Sequence, residues 1–225
     1  MKLLLFDIDG TILLTNGAGT RAANRAFEKI YGLKDAMTGI DAAGKTDPLI
    51  LGEMFMRSLS REYTSEEAQA LYRDYVIYLE EEIVKSPIDI MPGIPFLLES
   101  LSVRKDIIMG IATGNIEHGA WIKLRQSRLH SHFKFGGFGS DSGSREGLIR
   151  KAIERAKSHL KRKDDFDKVF VIGDTPYDII HGRAAGAVTV AVATGSYSAR
   201  ELGSHNPDYL FDHLEDYGSV IKIFD

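Results

Sequence analysis

The stretch Leu3-Leu4-Leu5-Phe6-Asp7-Ile8-Asp9-Gly10-Thr11 decides how this chain reads. Four apolar residues in a row are too few for a membrane span or a signal segment, and the right length for a strand buried on both faces. Two carboxylates at i and i+2 then leave the end of that strand together, and a glycine lets the backbone turn sharply behind them. Two anions buried side by side are costly unless a cation or protons neutralise them. The pattern therefore asks for a metal, and an all-oxygen ligand set favours Mg²⁺.

Working outward, the same signature recurs. Ile107–Ala112, Val169–Ile172 and Val188–Ala193 are short apolar runs that suit parallel strands covered on both sides. Phe133–Phe138 is a weaker candidate, and Tyr209-Leu210-Phe211 a short last strand. Helical patterns separate these runs: Ile116–Leu129, a stripe of Leu148, Ala152, Ile153 and Ala156, and Ile179–Ala185. Strands alternating with helices predict an α/β fold with a parallel sheet, and ligand chemistry at the carboxyl ends of the strands. Between the first strand and the second only helices are expected. Ala23, Phe27 and Ile30 share a face, as do Leu51, Met54 and Phe55; Asp47-Pro48 reads as an N-cap followed by proline at the first helical position, and Thr64-x-x-Glu67 as a capping box. Residues 15–88 thus read as an inserted helical subdomain, a cap on a core formed by 1–14 and 89–225, with Met91-Pro92-Gly93 marking the return.

The strand ends supply the partners of Asp7 and Asp9. Val169–Ile172 runs into Gly173-Asp174-Thr175-Pro176-Tyr177-Asp178, so in a parallel sheet Asp174 would meet Asp7 and Asp9 at a single cation. Ile107–Ala112 ends in Thr113-Gly114-Asn115, a hydroxyl and backbone N–H groups ahead of a helix N-terminus, which is an anion-binding arrangement. Carboxylates for a cation beside donors for an anion point to a phosphate brought in with Mg²⁺.

Two other glycine patterns compete. Gly39-Ile40-Asp41-Ala42-Ala43-Gly44-Lys45-Thr46 matches the P-loop spacing, but Leu33–Thr38 makes a poor strand ahead of it, and the next helix is expected after Thr46. Gly17-Ala18-Gly19-Thr20-Arg21-Ala22 fits a dinucleotide fingerprint but falls too far beyond its strand, and reads as a helix entry.

Asp-x-Asp-Gly-Thr, Thr113-Gly-Asn and Gly-Asp-x-x-x-Asp, in this order, resemble the motifs of the haloacid dehalogenase superfamily, and the layout is most similar to its phosphoglycolate-phosphatase-like branch. The resemblance spans essentially the whole chain. It implies a Rossmann-like three-layer core with a helical cap, and Mg²⁺-dependent hydrolysis of a small phosphate monoester through an aspartyl-phosphate. It casts Asp7 as nucleophile and Asp9 as general acid and base. Asp7, Asp174 and the backbone carbonyl of Asp9 become the metal ligands. Thr113, with Gly114 and Asn115, would bind the phosphoryl group, and Asp178 would support the metal or the basic residue. That basic residue is where the chain departs from the pattern: the lysine expected before the helix leading to the last motif is replaced by Ser144-Arg145-Glu146, with Lys151 further on. Arg145, at the helix entrance, is the preferred candidate. Arg21, Lys45 and Asp47 are the cap residues placed to read the leaving group.

Composition agrees. Lys and Arg number 28 against 32 Asp and Glu, a net charge of −4 that argues against nucleic acid as a partner. The absence of cysteine excludes disulfides, thiolate metal sites and cysteine nucleophiles. His130, His132 and His181 show no zinc spacing, and Trp121 and the tyrosines of 72–78 read as packing. The expectation is a cytoplasmic enzyme acting on a small phosphorylated metabolite, away from membranes. A sugar phosphomutase, or a non-catalytic phosphate- or nucleotide-binding module using Gly39–Thr46, is the alternative.

Overall fold

Alternate residues of the first apolar run face opposite layers. In the computed structural model, which describes residues 1–225, strand β1 (Lys2–Phe6) turns Leu4 and Phe6 into one hydrophobic core and Leu3 and Leu5 into another. This two-sided burial is why the strand is apolar throughout instead of alternating. The chain continues through β2 (Leu13–Leu14), α1 (Ala18–Tyr31), α2 (Asp47–Leu59), α3 (Ser65–Ile83), β3 (Asp89–Ile90) and α4 (Ile94–Ser102). It then alternates β4 (Ile107–Thr113), α5 (Glu117–Gln126), β5 (Gly136–Phe138), α6 (Arg145–His159), β6 (Lys168–Gly173) and α7 (Pro176–Ala184). The last elements are β7 (Val188–Val192), α8 (Ala199–Gly203), β8 (Tyr209–Phe211) and α9 (Tyr217–Lys222).

Six strands form one all-parallel sheet in the order β5-β4-β1-β6-β7-β8. One face packs on α4, α5 and α9 through residues such as Leu97, Leu101, Leu124 and Val220; the other packs on α6 through Leu148, Ile149, Ala152 and Ala156. The fold is therefore α/β with three layers, Rossmann-like. At Gly137 of β5 an added Cβ would lie 1.8 Å from the Leu148 carbonyl oxygen, so only glycine lets α6 lie this close to the sheet. The chain moves from β1 to β4 on one side and later returns to β6 on the other. β1 is thus the switch point where α/β sheets hold ligands at their carboxyl edge. Phe6 pairs with Ile111 and Ile172, so Asp7, Thr113 and Asp174 leave from the same edge within a residue or two of one another.

The predicted edge strand over 133–138 shortens to Gly136–Phe138, preceded by a 3₁₀ turn at His130–His132. Phe133 leaves the ladder because its ring is drawn into the core, 5.9 Å from that of Phe6. No helix is long and apolar enough to cross a membrane.

Helices α1, α2 and α3 carry a core of their own, in which Phe27, Phe55, Leu51, Met54 and Leu71 are buried and Phe27 meets Phe55 edge-on at 5.5 Å. α3 begins with the expected reciprocal capping box between Thr64 and Glu67. A second small cluster seats Leu79 and Ile83 of α3 against Ile122 of α5. The two chain crossings between helical layer and sheet are joined by the antiparallel β2–β3 pair, Leu13 opposite Ile90. The N-cap of α2 is Thr46, one residue before the expected Asp47. Asp47 does not cap its own helix because its carboxylate turns to the sheet side, where Oδ2 accepts the Ile116 N–H at 2.7 Å.

Candidate active site

Asp7 ends β1 with its side chain in the interior, where water cannot screen it. Oδ1 accepts the neighbouring Ile8 N–H at 2.7 Å, and Oδ2 lies 2.8 Å from an Arg145 NH2 nitrogen. Burial pushes the carboxyl up; Arg145 pulls it back and the Asp178 charge adds to the rise. Gly10 must be glycine twice over: its φ is +84°, and a Cβ there would sit 2.4 Å from Asp174 Oδ2. The same turn brings Thr11 Oγ1 to donate to Asp174 Oδ1 at 2.8 Å.

Asp174, at the end of β6, is raised well above an ordinary carboxyl, first by burial and then by the charges of Asp178 and Asp7. Oxygens of Asp7, Asp174 and Asp178 all lie within 4.8 Å of one another. Three anions this close need compensation, and Arg145 supplies part of it. Arg145 opens α6, is buried, and reaches both Asp7 and Asp178 through one NH2 nitrogen. Burial opposes its charge, but Asp178 and Asp7 outweigh that and hold it protonated. Its Nε is buried with no acceptor, a donor left over beside the cluster. Asp178 is saturated on both oxygens, by Arg145 on Oδ1 and by Thr175 N–H and O–H on Oδ2. Lys151 stands apart, an exposed side chain paired with Glu154 at 2.9 Å.

On the β4 side, Thr113 and Asn115 are buried and bonded to each other, Asn115 Nδ2 donating to Thr113 Oγ1 at 2.8 Å. Asn115 also donates to Asp9 Oδ2 at 2.7 Å. Asp9 itself is directed away from Asp174 toward Lys123, whose Nζ lies 2.7 and 2.6 Å from its two oxygens. Its carboxylate is thus held by Lys123 and Asn115, apart from the Asp7, Asp174 and Asp178 cluster.

A cavity of about 580 Å³ opens over this edge. Asp7, Asp9, Thr113, Gly114, Asn115, Arg145 and Asp174 line one side; Ile40, Lys45, Asp47 and Tyr75 from the helical layer line the other. Gly114 is what lets the two sides meet: a Cβ there would fall 2.2 Å from the Lys45 carbonyl oxygen, and its own carbonyl accepts the Asp47 N–H at 2.8 Å. The stretch from Gly39 to Thr46 is a loop with no strand before it, unlike a P-loop, and Lys45 pairs with Glu53 at 2.5 Å. Asp47 is pushed up to about 6, chiefly by burial. Arg21 does not line the cavity: it donates to Glu82, Ser86 and the Asn16 carbonyl where α1 and α3 join the sheet layer.

Sequence reasoning overlooked Lys123 and Tyr75. Lys123 lies three residues after Ala120 and four after Gly119, on the buried stripe of α5, and a lysine on such a stripe is itself the signal. Tyr75 falls within a run of tyrosines that packing explains as well as function does.

A parallel sheet whose switch point gathers an Asp-x-Asp loop, a Thr-Gly-Asn turn and a buried acid–arginine cluster defines a class of phosphate-handling α/β enzymes. Residues 4–192 match the family model of haloacid dehalogenase-like hydrolases, and the chain belongs to that family. Among curated relatives it is similar to the pyrophosphatase PpaX of Anoxybacillus flavithermus, 24% identical over 232 residues that cover 99% of this chain and 98% of the other. Among solved structures, a predicted phosphoglycolate phosphatase of Haemophilus somnus shares the fold with a TM-score of 0.71 at 19% identity, covering 100% of this chain and 98% of that one. A candidate β-phosphoglucomutase of Thermotoga maritima shares it with a TM-score of 0.62, also at 19% identity, covering 99% of each chain.

Proposed function

We propose that the protein hydrolyses a small-molecule phosphate ester or anhydride, with Asp7 as the nucleophile and Asp9 as the general acid and base. The observation that carries this reading is the buried meeting of Asp7, Asp174 and Arg145 at the switch point, next to the Thr113–Asn115 turn. Phosphoryl transfer needs positive charge and fixed donors around the moving group more than it needs covalent partners. Arg145, Thr113, Gly114 and Asn115 are the groups that would hold the phosphoryl oxygens, with Asp178 keeping the Arg145 fork in place. Asp7 attacks phosphorus; Asp9 protonates the leaving oxygen and then takes a proton from the water that releases phosphate.

The site suits Mg²⁺. Its donors are hard oxygens, and Asp174 is buried among like charges with no hydrogen bond to its Oδ2. Asp7, Asp174 and the Asp9 main-chain carbonyl would hold the ion, which supplies positive charge between the carboxylates and against the phosphoryl group. Residues 15–88 act as a lid on the core of 1–14 and 89–225, keeping bulk water out. Lys45 and Asp47 reach the leaving group from that lid, whereas Arg21 ties its base.

Pyrophosphate, the substrate class in the name of the relative from Anoxybacillus flavithermus, and phosphoglycolate are the first two compounds to assay, within a screen of phosphorylated metabolites with and without Mg²⁺. Release of inorganic phosphate that depends on Mg²⁺ and disappears in Asp7→Asn is the expected result; undiminished turnover by that variant would overturn the reading. Isomerisation of a sugar phosphate faster than its hydrolysis would place the protein with the mutases instead.

A further inference from the structure

We propose that Lys123 is a positioning residue for Asp9, gripping its carboxylate from inside the protein so that the acid stays aimed at the leaving group. The proposal rests on the phosphatase reading above.

Lys123 is only 4% exposed, and a lysine that deeply buried is costly unless its charge is fully paired. Here each ammonium proton has an acceptor: Asp9 Oδ1 at 2.7 Å, Asp9 Oδ2 at 2.6 Å and Asn115 Oδ1 at 2.6 Å. The residue sits in the last turn of α5, yet it reaches back to the helix entrance because helical side chains lean toward the N-terminus and lysine has the length to span the gap. Gly119, one turn earlier, brings α5 close to Tyr75 of the lid; a Cβ there would lie 3.3 Å from that ring. Asp9, by contrast, has a side chain 39% exposed to the cavity. Without Lys123 its carboxylate keeps one side-chain partner, the Asn115 amide.

The chemistry makes that anchor matter. In the first half-reaction an Asp7 oxygen bonds to phosphorus, the phosphorus–ester oxygen bond breaks with its electron pair staying on that oxygen, and the Asp9 proton passes to it. In the second, Asp9 takes a proton from water, the water oxygen bonds to phosphorus, and the Asp7–phosphorus bond breaks to return the carboxylate and free phosphate. A poor leaving group depends on the proton arriving in time, whereas a very good one does not. Misplacing the acid therefore penalises the two unequally, and a general loss of structure would not.

The test measures kcat/KM at fixed pH and saturating Mg²⁺ for glycerol 2-phosphate and for 2,4-dinitrophenyl phosphate. Lys123→Met should lower the value for the glycerol ester by about 100-fold and leave that for the dinitrophenyl ester within about threefold. Lys123→Arg should recover at least about tenfold of the loss, and adding Lys123→Met to Asp9→Asn should cost nothing further, because the two act as one unit. Should the methionine variant fail to fold, Lys123→Gln carries the same comparison. Equal losses on both esters, or none on either, would overturn the proposal. Wild-type enzyme inactive toward these two esters and toward every compound of the metabolite screen would overturn the phosphatase reading and this inference with it.

Discussion

Asp7 and Asp9 stand two residues apart on one loop, and each meets a buried cation, but the surroundings differ in kind. Asp7 is enclosed with Arg145, whose planar fork also binds Asp178, while Asp174 stands alongside. Asp9 has more than a third of its side chain open to the cavity, and its partner Lys123 is the only buried member of that pair. A carboxylate packed among other acids next to an arginine stays in place and can be aimed at a phosphorus. A carboxylate open to the cavity and tethered at its back can turn and exchange protons. The alternation of the strand produces this split: residues i and i+2 leave one edge together, and the Gly10 turn then sends only the first into the acidic cluster. Two equal side chains thus acquire unequal surroundings from position alone.

The sharpest way to break this comparison is to remove the enclosed acid. Asp7→Asn keeps the shape and removes the carboxylate proposed as nucleophile, and turnover of any phosphate ester should fall by at least about 10³-fold. Phosphate release under saturating substrate checks it. Next comes its partner. Arg145→Ala leaves Asp7 and Asp178 buried without their cation, and breaking a buried pair from one side costs about 3–5 kcal/mol. The thermal midpoint should fall by roughly 10 °C for a chain of this length, and activity with it. An unchanged midpoint in a scanning calorimeter would mean that the cluster is less dry than the geometry implies.

Much of this arrangement is legible in the sequence. β1, β4, β6 and β7 announced themselves as apolar runs ending in Asp, Thr or Gly, and their parallel order followed from the intervening helices. The placement of Asp7, Asp174, Thr113 and Asn115 at one sheet edge is legible because strand ends have fixed places there. Arg145 was legible through its position at a helix entrance. What could not be read was where flexible side chains go after leaving the backbone. Arg21 and Lys123 are long cations on helices with comparable local patterns. One joins Glu82 and Ser86 where α1 and α3 meet the sheet layer, and the other reaches Asp9 at the sheet edge. Which partner each one meets depends on how α1 packs on α3 and α5 on the sheet. The one-residue shift at the start of α2 has the same origin: Asp47 is a good N-cap by type, but the Ile116 N–H across the interface claims its carboxylate.

Asp47 supplies a smaller test, of how far an acid of the helical layer resembles the enclosed pair. Its folded-state value is about 6 against an ordinary 3.8, so between those pH values the folded chain binds more protons than the unfolded one. Stability therefore falls as pH rises through that window, and the penalty is complete above it. A rise of two units sets an upper limit of about 3 kcal/mol, and partial exposure reduces it. Asp47→Asn keeps an acceptor for the Ile116 N–H and should raise stability by about 1 kcal/mol at pH 7.5, with the gain gone by pH 4. Urea unfolding at the two pH values measures it; an equal gain at both would assign the effect to packing and not to charge.

The smallest expected effect comes from the pair that shares the chemistry of these sites but not their burial. Lys151 and Glu154 lie 2.9 Å apart, one turn apart on α6, with side chains 40% and 65% exposed. Water and salt screen such a pair, and holding two long side chains together costs entropy that offsets most of the attraction. Lys151→Ala should shift the thermal midpoint by less than about 2 °C and leave phosphate release unchanged. Measured beside Arg145→Ala, it compares two of the basic residues of α6 that differ in enclosure, because both are paired with carboxylates at hydrogen-bond distance. A loss of activity in Lys151→Ala comparable to that of Arg145→Ala would show that the phosphate is handled from the outer turn of α6, and the contrast between the buried and exposed cations would lose its functional meaning.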